Sequence, residues 1–255
     1  MPASRFVWHE LMTTDVAAAA AFYPAVVGWR AQDSGMPGVD YTLMMVGPAQ
    51  VAGMMATPEA LRAAGAPSTW SGYVAVGDVD AAEARVIQFG GKVLNPAQDI
   101  PGVGRFAVVA DPQGASFMLF KPLRDEPPPL PPRDAPGTVG WNELRAIDGT
   151  AVFEFYATLF GWTKGETLDM GAMGPYQLFE IDGVPSGAIM TRESEAAMPS
   201  WRYYFRVDSI GAAALRVETQ GGEVTMGPHE VPGGTWVLHA RDPQGALFAL
   251  MSAAK

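Results

Sequence analysis

Two short segments of this 255-residue chain carry the residue types best suited to chemistry, and they are nearly the same segment: Trp8-His9-Glu10-Leu11 and Trp141-Asn142-Glu143-Leu144. Each lies in a run of alternating bulky residues that predicts a strand, in which every second side chain shares a face. Trp8, Glu10 and Met12 therefore point one way, as do Trp141, Glu143 and Arg145. A carboxylate on an otherwise apolar wall can act as a general base or accept a ligand's hydrogen bond. It also needs a partner, because an unpaired buried charge is costly. Glu143 and Arg145 can pair, or both can meet a polar ligand. The alternative is architectural: Glu10 and Glu143 bond to backbone N–H groups and brace the strand. Presence in both segments favours the brace, since a single active site needs only one copy. By the same reasoning Arg145 (opposite Met12) and Arg105 (opposite Trp236) are candidates for a specialised role.

Other chemistries find little support. With no cysteine there is no disulfide, thiolate metal site or cysteine nucleophile. The three histidines are His9, His229 and His239, and no helical metal-ligand spacing joins them. His9 falls on the strand face opposite Glu10, where it packs against a helix or a neighbouring module. A one-residue bulge would turn it to the Glu10 side. His229 is read in the loop 226–232 and His239 on a strand. Gly102-Val103-Gly104 lacks the following glycine and helix that a dinucleotide site requires. The methionines Met44, Met45, Met54, Met55 and Met118 could line an apolar pocket or simply fill a core.

The repeat is general. Asp15, Phe22-Tyr23 and Gly28-Trp29 recur as Asp148, Phe155-Tyr156 and Gly161-Trp162, all 133 positions later (141 − 8 for the first pair). Gly90-Gly91, Pro101-Gly102 and Asp111-Pro112-Gln113-Gly114 recur 131 positions later, ending at Asp242-Pro243-Gln244-Gly245. A period this long predicts two self-contained domains rather than a solenoid. Each half reads as strand–helix–three strands, twice over. Asp15 predicts a helix N-cap and Gly28 its stop. Pro24 predicts a kinked or shortened helix, for which the second half offers Ala157. Asp208 is read as capping the helix that runs to Glu218. The expected organisation is a domain over 1–121, a linker over 122–137 and a domain over 138–255. The prolines of the linker favour an extended spacer of about 3 Å per residue.

Hydrophobic residues make up 48% of the chain and charged residues 17%, a composition that can bury a core. The net charge of −10 argues against nucleic-acid and anionic membrane partners. The chain shows no basic, cleavable leader and no apolar run long enough to cross a bilayer. A cytoplasmic protein is expected.

The paired Phe-Tyr, Gly-Trp and Asp-Pro-Gln-Gly motifs, in order and twice, resemble the vicinal oxygen chelate superfamily, which includes glyoxalase I, bleomycin-resistance proteins and extradiol dioxygenases. The resemblance spans the chain apart from the linker and is narrowest to two-domain bacterial glyoxalase-like members. It implies an α+β fold of tandem domains, each of two βαβββ modules whose curved mixed sheet forms a cup for metal and substrate. The family's first-strand ligand falls at Trp8 and Trp141, and its last-strand ligand at Met118 and Ala249. The second-module ligand falls near Tyr73 and Tyr203, and the fourth within 53–55 and 187–189. These side chains do not suit a hard divalent ion, so no cofactor is expected although a divalent metal is the family norm. The ligand-contacting residues expected are Trp8, Glu10, Tyr73, Met118, Trp141, Glu143, Arg145 and Tyr203. Two functions follow from the resemblance. One is a metal-free cup that binds a small apolar or aromatic molecule. The other is a lyase or isomerase acting on a small carbonyl compound, with Glu143 as base and Arg145 as oxyanion partner. A third reading has cups filled by their own side chains. Either a monomer or a homodimer is compatible.

Overall fold

The computed structural model describes residues 3–123 and 130–255, so Pro127–Pro129, the heart of the expected linker, lie outside the described residues. The first half runs β1 (Phe6–Thr13), α1 (Val16–Val27), β2 (Arg30–Asp33), β3 (Tyr41–Val46), β4 (Ala49–Ala56) and a short α2 (Glu59–Ala63). It continues through β5 (Thr69–Ala75), α3 (Val79–Gln88), β6 (Lys92–Ile100), β7 (Gly104–Ala110) and β8 (Ser116–Pro122). The second half repeats this with β9 (Val139–Ala146), α4 (Gly149–Phe160), β10 (Thr163–Asp169), β11 (Pro175–Ile181) and β12 (Val184–Thr191). Its second module is β13 (Ser200–Arg206), α5 (Ile210–Thr219), β14 (Glu223–Val231), β15 (Thr235–Arg241) and β16 (Leu247–Ser252). Each half is thus two βαβββ modules.

The strands form two mixed eight-stranded sheets of the same order, β2-β3-β4-β1-β5-β8-β7-β6 and β10-β11-β12-β9-β13-β16-β15-β14. Within a module the first strand pairs parallel with the last, as Glu10 with Gly53 and Glu143 with Ala188. The other pairs inside each module are antiparallel hairpins. Among the described residues no helix is long and apolar enough to cross a membrane.

Local sequence explains the helices. Asp15 and Asp148 sit in extended backbone and accept the N–H groups of Ala18 and Ala151 at 2.9 and 3.0 Å, which satisfies amides with no intrahelical partner. Gly28 and Gly161 end the same helices with φ of 89° and 75°, a left-handed turn that only glycine adopts cheaply. Pro24 does not shorten its helix: α1 and α4 each span twelve residues. Pro24 sits one turn from the end, and its carbonyl still accepts from Gly28 N. Ser209, not Asp208, caps α5, and Asp208 instead pairs with Arg216 at 2.7 Å. His229 lies within β14 rather than in a loop.

The chain forms two compact units. One contains Trp8–Trp70 and Tyr203–Lys255, the other the segment from Ser71 through β8 and Trp141–Arg202. Each unit takes a module from either half. In the first, Tyr23 lies among Phe22, Trp29, Trp70 and Phe248, with ring centroids 5.0 to 6.0 Å away. Trp70 donates its indole N–H to the Tyr23 oxygen at 2.8 Å, and Tyr23 donates to Asp242 Oδ2 at 3.0 Å. Asp242 Oδ1 meanwhile accepts from Gln244 N and Ala246 N, shaping the Asp-Pro-Gln-Gly turn. In the other unit Trp201 donates to Tyr156 and Tyr156 to Asp111, at 3.3 and 2.9 Å. Two repeated motifs therefore meet in one contact: the Tyr of Phe-Tyr reaches the Asp of the closing turn from the opposite half.

Loss of a Tyr hydroxyl strands a buried carboxylate oxygen and an indole N–H. Tyr23→Phe or Tyr156→Phe should each cost about 1–3 kcal/mol, read as a lower urea midpoint with an unchanged slope. Burial raises the carboxyl pKa of Asp111 and Asp242 above the ordinary 3.8, against the pull of their hydrogen bonds. A raised acid favours the fold while protonated and loses that advantage as pH climbs through its folded pKa. Asp242→Asn keeps the Oδ1 acceptor, so it should gain on the parent chain as pH rises from about 3 to 7. A stability gap that stays constant over that range would remove the buried-charge argument.

Candidate functional site

β1 and β9 present Trp and Glu on one face because they are regular strands there, and β3 and β11 bring a tyrosine to the same face. Trp8 donates its indole N–H to the Tyr41 oxygen at 2.8 Å, and Tyr41 donates to Glu10 Oε2 at 2.7 Å. In the other unit Trp141 donates to Tyr176 at 2.8 Å and Tyr176 to Glu143 Oε2 at 3.0 Å. Both carboxylates are buried, and both indoles half-buried. Burial first, then the neighbouring carboxylate, raises the pKa of Tyr41 and of Tyr176 far above the usual phenol range. Both tyrosines stay protonated donors at any physiological pH. A side-chain hydroxyl from the neighbouring hairpin thus holds each carboxylate.

The two sites differ in their third residue. Arg145 Nε donates to Glu143 Oε1 at 2.9 Å, and its Nη1 meets Glu193 Oε1 at 3.1 Å. The Arg145 and Glu143 side chains are 15% and 4% exposed, so this ion pair is largely desolvated. At the matching position the first half has Met12, whose thioether supplies no charge.

The other expected residues fall in distinct places. Tyr73 and Met118 are register partners on β5 and β8, with Phe106 and Phe120 rings beside Tyr73 at 6.3 and 5.9 Å. Tyr203 lies on the helix-side face of β13, edge-to-face with His9 at 4.7 Å. Its neighbour Tyr204 is the residue in register with Ala249, because one step along a strand changes the face. Arg105 is a surface arginine that pairs with Asp80 and Asp99 at 2.8 and 2.9 Å. Strand alternation divides the methionines: Met44 and Met54 are fully buried in register with Ala52 and Leu11, whereas Met55 pairs with Met12 and Tyr41.

Sequence reasoning passed over Tyr41 and Tyr176. The repeat does mark them, since Tyr41-Thr42-Leu43 and Tyr176-Gln177-Leu178 both open a strand. Their offset is 135 (176 − 41), however, neither 133 nor 131, so a fixed-period comparison misses them.

A family model described as the glyoxalase/bleomycin resistance protein/dioxygenase superfamily matches residues 5–119 and 138–250. The chain belongs to this superfamily. It is 31% identical over 249 residues to a Mycobacterium tuberculosis protein named "Putative glyoxylase CFP32", covering 97% of this chain and 94% of that one. It is 32% identical over 258 residues to the anthracycline biosynthesis protein DauV of Streptomyces sp. strain C5, covering 96% and 91%. The fold of this superfamily member is also that of the Mn(II)-bound glyoxalase from Novosphingobium aromaticivorans, with a TM-score of 0.66, 17% identity and coverage of 100% and 83%. It matches the 2,2',3-trihydroxybiphenyl 1,2-dioxygenase of Sphingomonas wittichii at a TM-score of 0.69 and 11% identity, covering 98% and 90%.

A divalent metal is what the resemblance to this superfamily implies, and the side chains at the positions where it puts the ligands do not fit one. At the first-module positions Trp8 spends its N–H on Tyr41, and the Tyr41 ring lies over Gly53, where a Cβ would collide with it. Trp141, Met118 and Ala249 add no hard donor. Among the described residues no three of His, Asp and Glu are grouped to hold an ion.

The desolvated Arg145 pair and the exposed Arg105 pairs make a direct comparison. Arg145→Met, which copies the first half, leaves Glu143 buried without its guanidinium and should cost about 3 kcal/mol. Arg105→Met should cost under about 1 kcal/mol. Equal losses in guanidinium unfolding curves would show that the Glu143 pair is not desolvated.

Proposed function

We propose that this chain binds a small, planar aromatic molecule without a metal, against walls built from Trp8 with Tyr41 and Trp141 with Tyr176. The observation that carries this reading is the Trp–Tyr–carboxylate relay standing where the superfamily's metal ligands are expected. Indole and phenol rings give a ligand apolar, polarisable surface. Glu10 and Glu143 give a ligand hydroxyl an acceptor at a fixed height on that surface. The relatives named for anthracycline biosynthesis, similar along nearly the whole chain, support an aromatic ligand. The charge of −10 fits neither nucleic acid nor an anionic bilayer as partner.

A second reading is a lyase or isomerase acting on a small carbonyl compound, favoured by Arg145 beside Glu143 and by the relative named as a glyoxylase. Glu143 would take a proton from the carbon next to the carbonyl. On an α-hydroxycarbonyl compound the C–H pair would form a C=C bond as the carbonyl π pair moves to oxygen, where the Arg145 guanidinium would stabilise the oxyanion. The proton would return to the former carbonyl carbon, while the α-hydroxyl gives its proton to the oxyanion and becomes the new carbonyl.

Titration with alizarin, a dihydroxyanthraquinone, separates these readings. Under the binding reading alizarin quenches tryptophan fluorescence saturably, and Glu10→Gln or Glu143→Gln weakens it about tenfold, the loss of one charge-assisted hydrogen bond. Under the enzymatic reading the methylglyoxal–glutathione adduct turns over, and Glu143→Gln abolishes turnover. Near-stoichiometric manganese, nickel, zinc or iron in protein purified without chelator would overturn the metal-free part of both.

A further inference from the structure

At the end of β13 the second half has Arg206 and Asp208 where the first has Ala75 and Gly77 (206 − 131 and 208 − 131). A cleft of about 280 Å³ opens beside them, lined by Arg206, Asp208, Asp134, Pro136, Met251 and Ala254 among others. All of these residues belong to one compact unit. The Trp–Tyr–Glu relays contribute nothing to its walls. Nor do Tyr204 and His239, a buried pair with Oη and Nε2 2.8 Å apart, for whose imidazole the first half has Val108 (239 − 131).

The Arg206 guanidinium is held in place by its surroundings. Its Nε donates to the Arg133 carbonyl at 3.0 Å. Its backbone is bonded on both sides, N–H to Thr138 O and carbonyl from Gly137 N, each at 2.8 Å. The guanidinium lies over Gly140, where a Cβ would come within 2.7 Å of its central carbon. The first half has Val7 there (140 − 133), so the half with an arginine on one strand has a glycine on the next. These contacts use Nε and leave the two Nη groups without a partner among the described residues.

Half-buried donors without an acceptor are costly. Burial disfavours the Arg206 cation, Asp134 restores part of that loss, and the Arg133 charge adds to it. Asp208 is already paired with Arg216 at 2.7 Å, and Asp134 acts on Arg206 only through space. The fold does not require the arginine, since Ala75 serves in the first half. Two parallel Nη–H groups match the two oxygens of a carboxylate. Pro136, Met251, Ala253 and Ala254 supply apolar wall. The volume lies at the foot of the usual range for ligand pockets, about 300–1,000 Å³, and suits a chain of a few carbons. Asp134 and Asp208 on the same walls oppose a second negative charge, which favours a carboxylate over a dianionic phosphate.

We propose that this cleft is a second binding site, specific to the second half, for a small monocarboxylate with a short apolar tail, held by the Nη groups of Arg206. It is separate from the aromatic-ligand site and does not rest on that reading. Each carboxylate oxygen accepts one Nη–H, and the hydrocarbon tail lies against Met251 and Pro136.

Butanoate is the probe, titrated into the full chain at pH 7.5 against sodium chloride of equal ionic strength. The Arg206 Nε–H resonance, identified by its loss in Arg206→Ala, should move saturably with butanoate and not with chloride. Saturation transfer from protein to the butanoate methyl should report the same affinity. Arg206→Ala, which installs the first half's residue, should weaken binding at least tenfold. Ala254→Leu keeps the guanidinium but fills the cleft, and should weaken it equally; it carries the test if Arg206→Ala does not fold. Arg105→Met, at an exposed arginine elsewhere, should leave binding unchanged. The proposal is overturned by butanoate binding that survives Arg206→Ala or Ala254→Leu in folded protein, or by no binding at all. It is equally overturned if chloride or inorganic phosphate moves the resonance as far as butanoate does, since the site would then be a general anion contact.

Discussion

A tyrosine hydroxyl that accepts an indole N–H and donates to a buried carboxylate is the interaction on which the rest of this structure depends. It occurs as Trp70–Tyr23–Asp242 and Trp201–Tyr156–Asp111 in the cores, and as Trp8–Tyr41–Glu10 and Trp141–Tyr176–Glu143 on the faces away from the helices. The physical reason is one of matching. A phenol satisfies one donor and one acceptor at once, so a carboxylate can be buried without a cation and an indole without water. Burial and the adjacent carboxylate keep the phenol protonated, so the chain of donors has a fixed direction.

The core relays also explain the architecture. Each ties the last turn of an N-terminal helix to the Asp-Pro-Gln-Gly turn of the opposite half, within one compact unit. A duplicated chain can keep such a contact only if both copies retain both ends, which accounts for motifs that persist in parallel. The face relays persist in both halves as well, but the residues beside them have diverged. Arg145 beside Glu143 gives the second half a largely desolvated ion pair where the first has Met12. The second half likewise carries His239 and Arg206 where the first has Val108 and Ala75. The difference in polarity thus touches both modules of the second half.

Much of the fold was legible in the chain. The repeat, the capping aspartates, the stopping glycines and strand alternation together predict tandem βαβββ modules, because each is a local signal with a local cause. Legibility ended where one residue of register mattered. Ser209 took the cap assigned to Asp208, and Tyr204, not Tyr203, is in register with Ala249. Periodicity fixes which residues alternate but not the phase at a strand's end. Pro24 carried a strong local signal that its surroundings tolerated, since it sits in the last turn with its carbonyl still bonded.

The candidate site was half legible. The shared face of Trp8 and Glu10, and of Trp141, Glu143 and Arg145, follows from strand spacing, which left open whether Glu143 and Arg145 pair; the structure pairs them. Tyr41 and Tyr176 required the hairpins to be in place, because they lie over thirty residues from their partners and are joined to them only by sheet register. The Tyr204–His239 pair has the same origin. The sequence by itself determined the modules, their duplication and the composition of each strand face, all properties of neighbours along the chain. The tertiary structure alone decided which hydroxyl meets which carboxylate, because a hydrogen bond is set by distances of a few tenths of an ångström that no local pattern encodes.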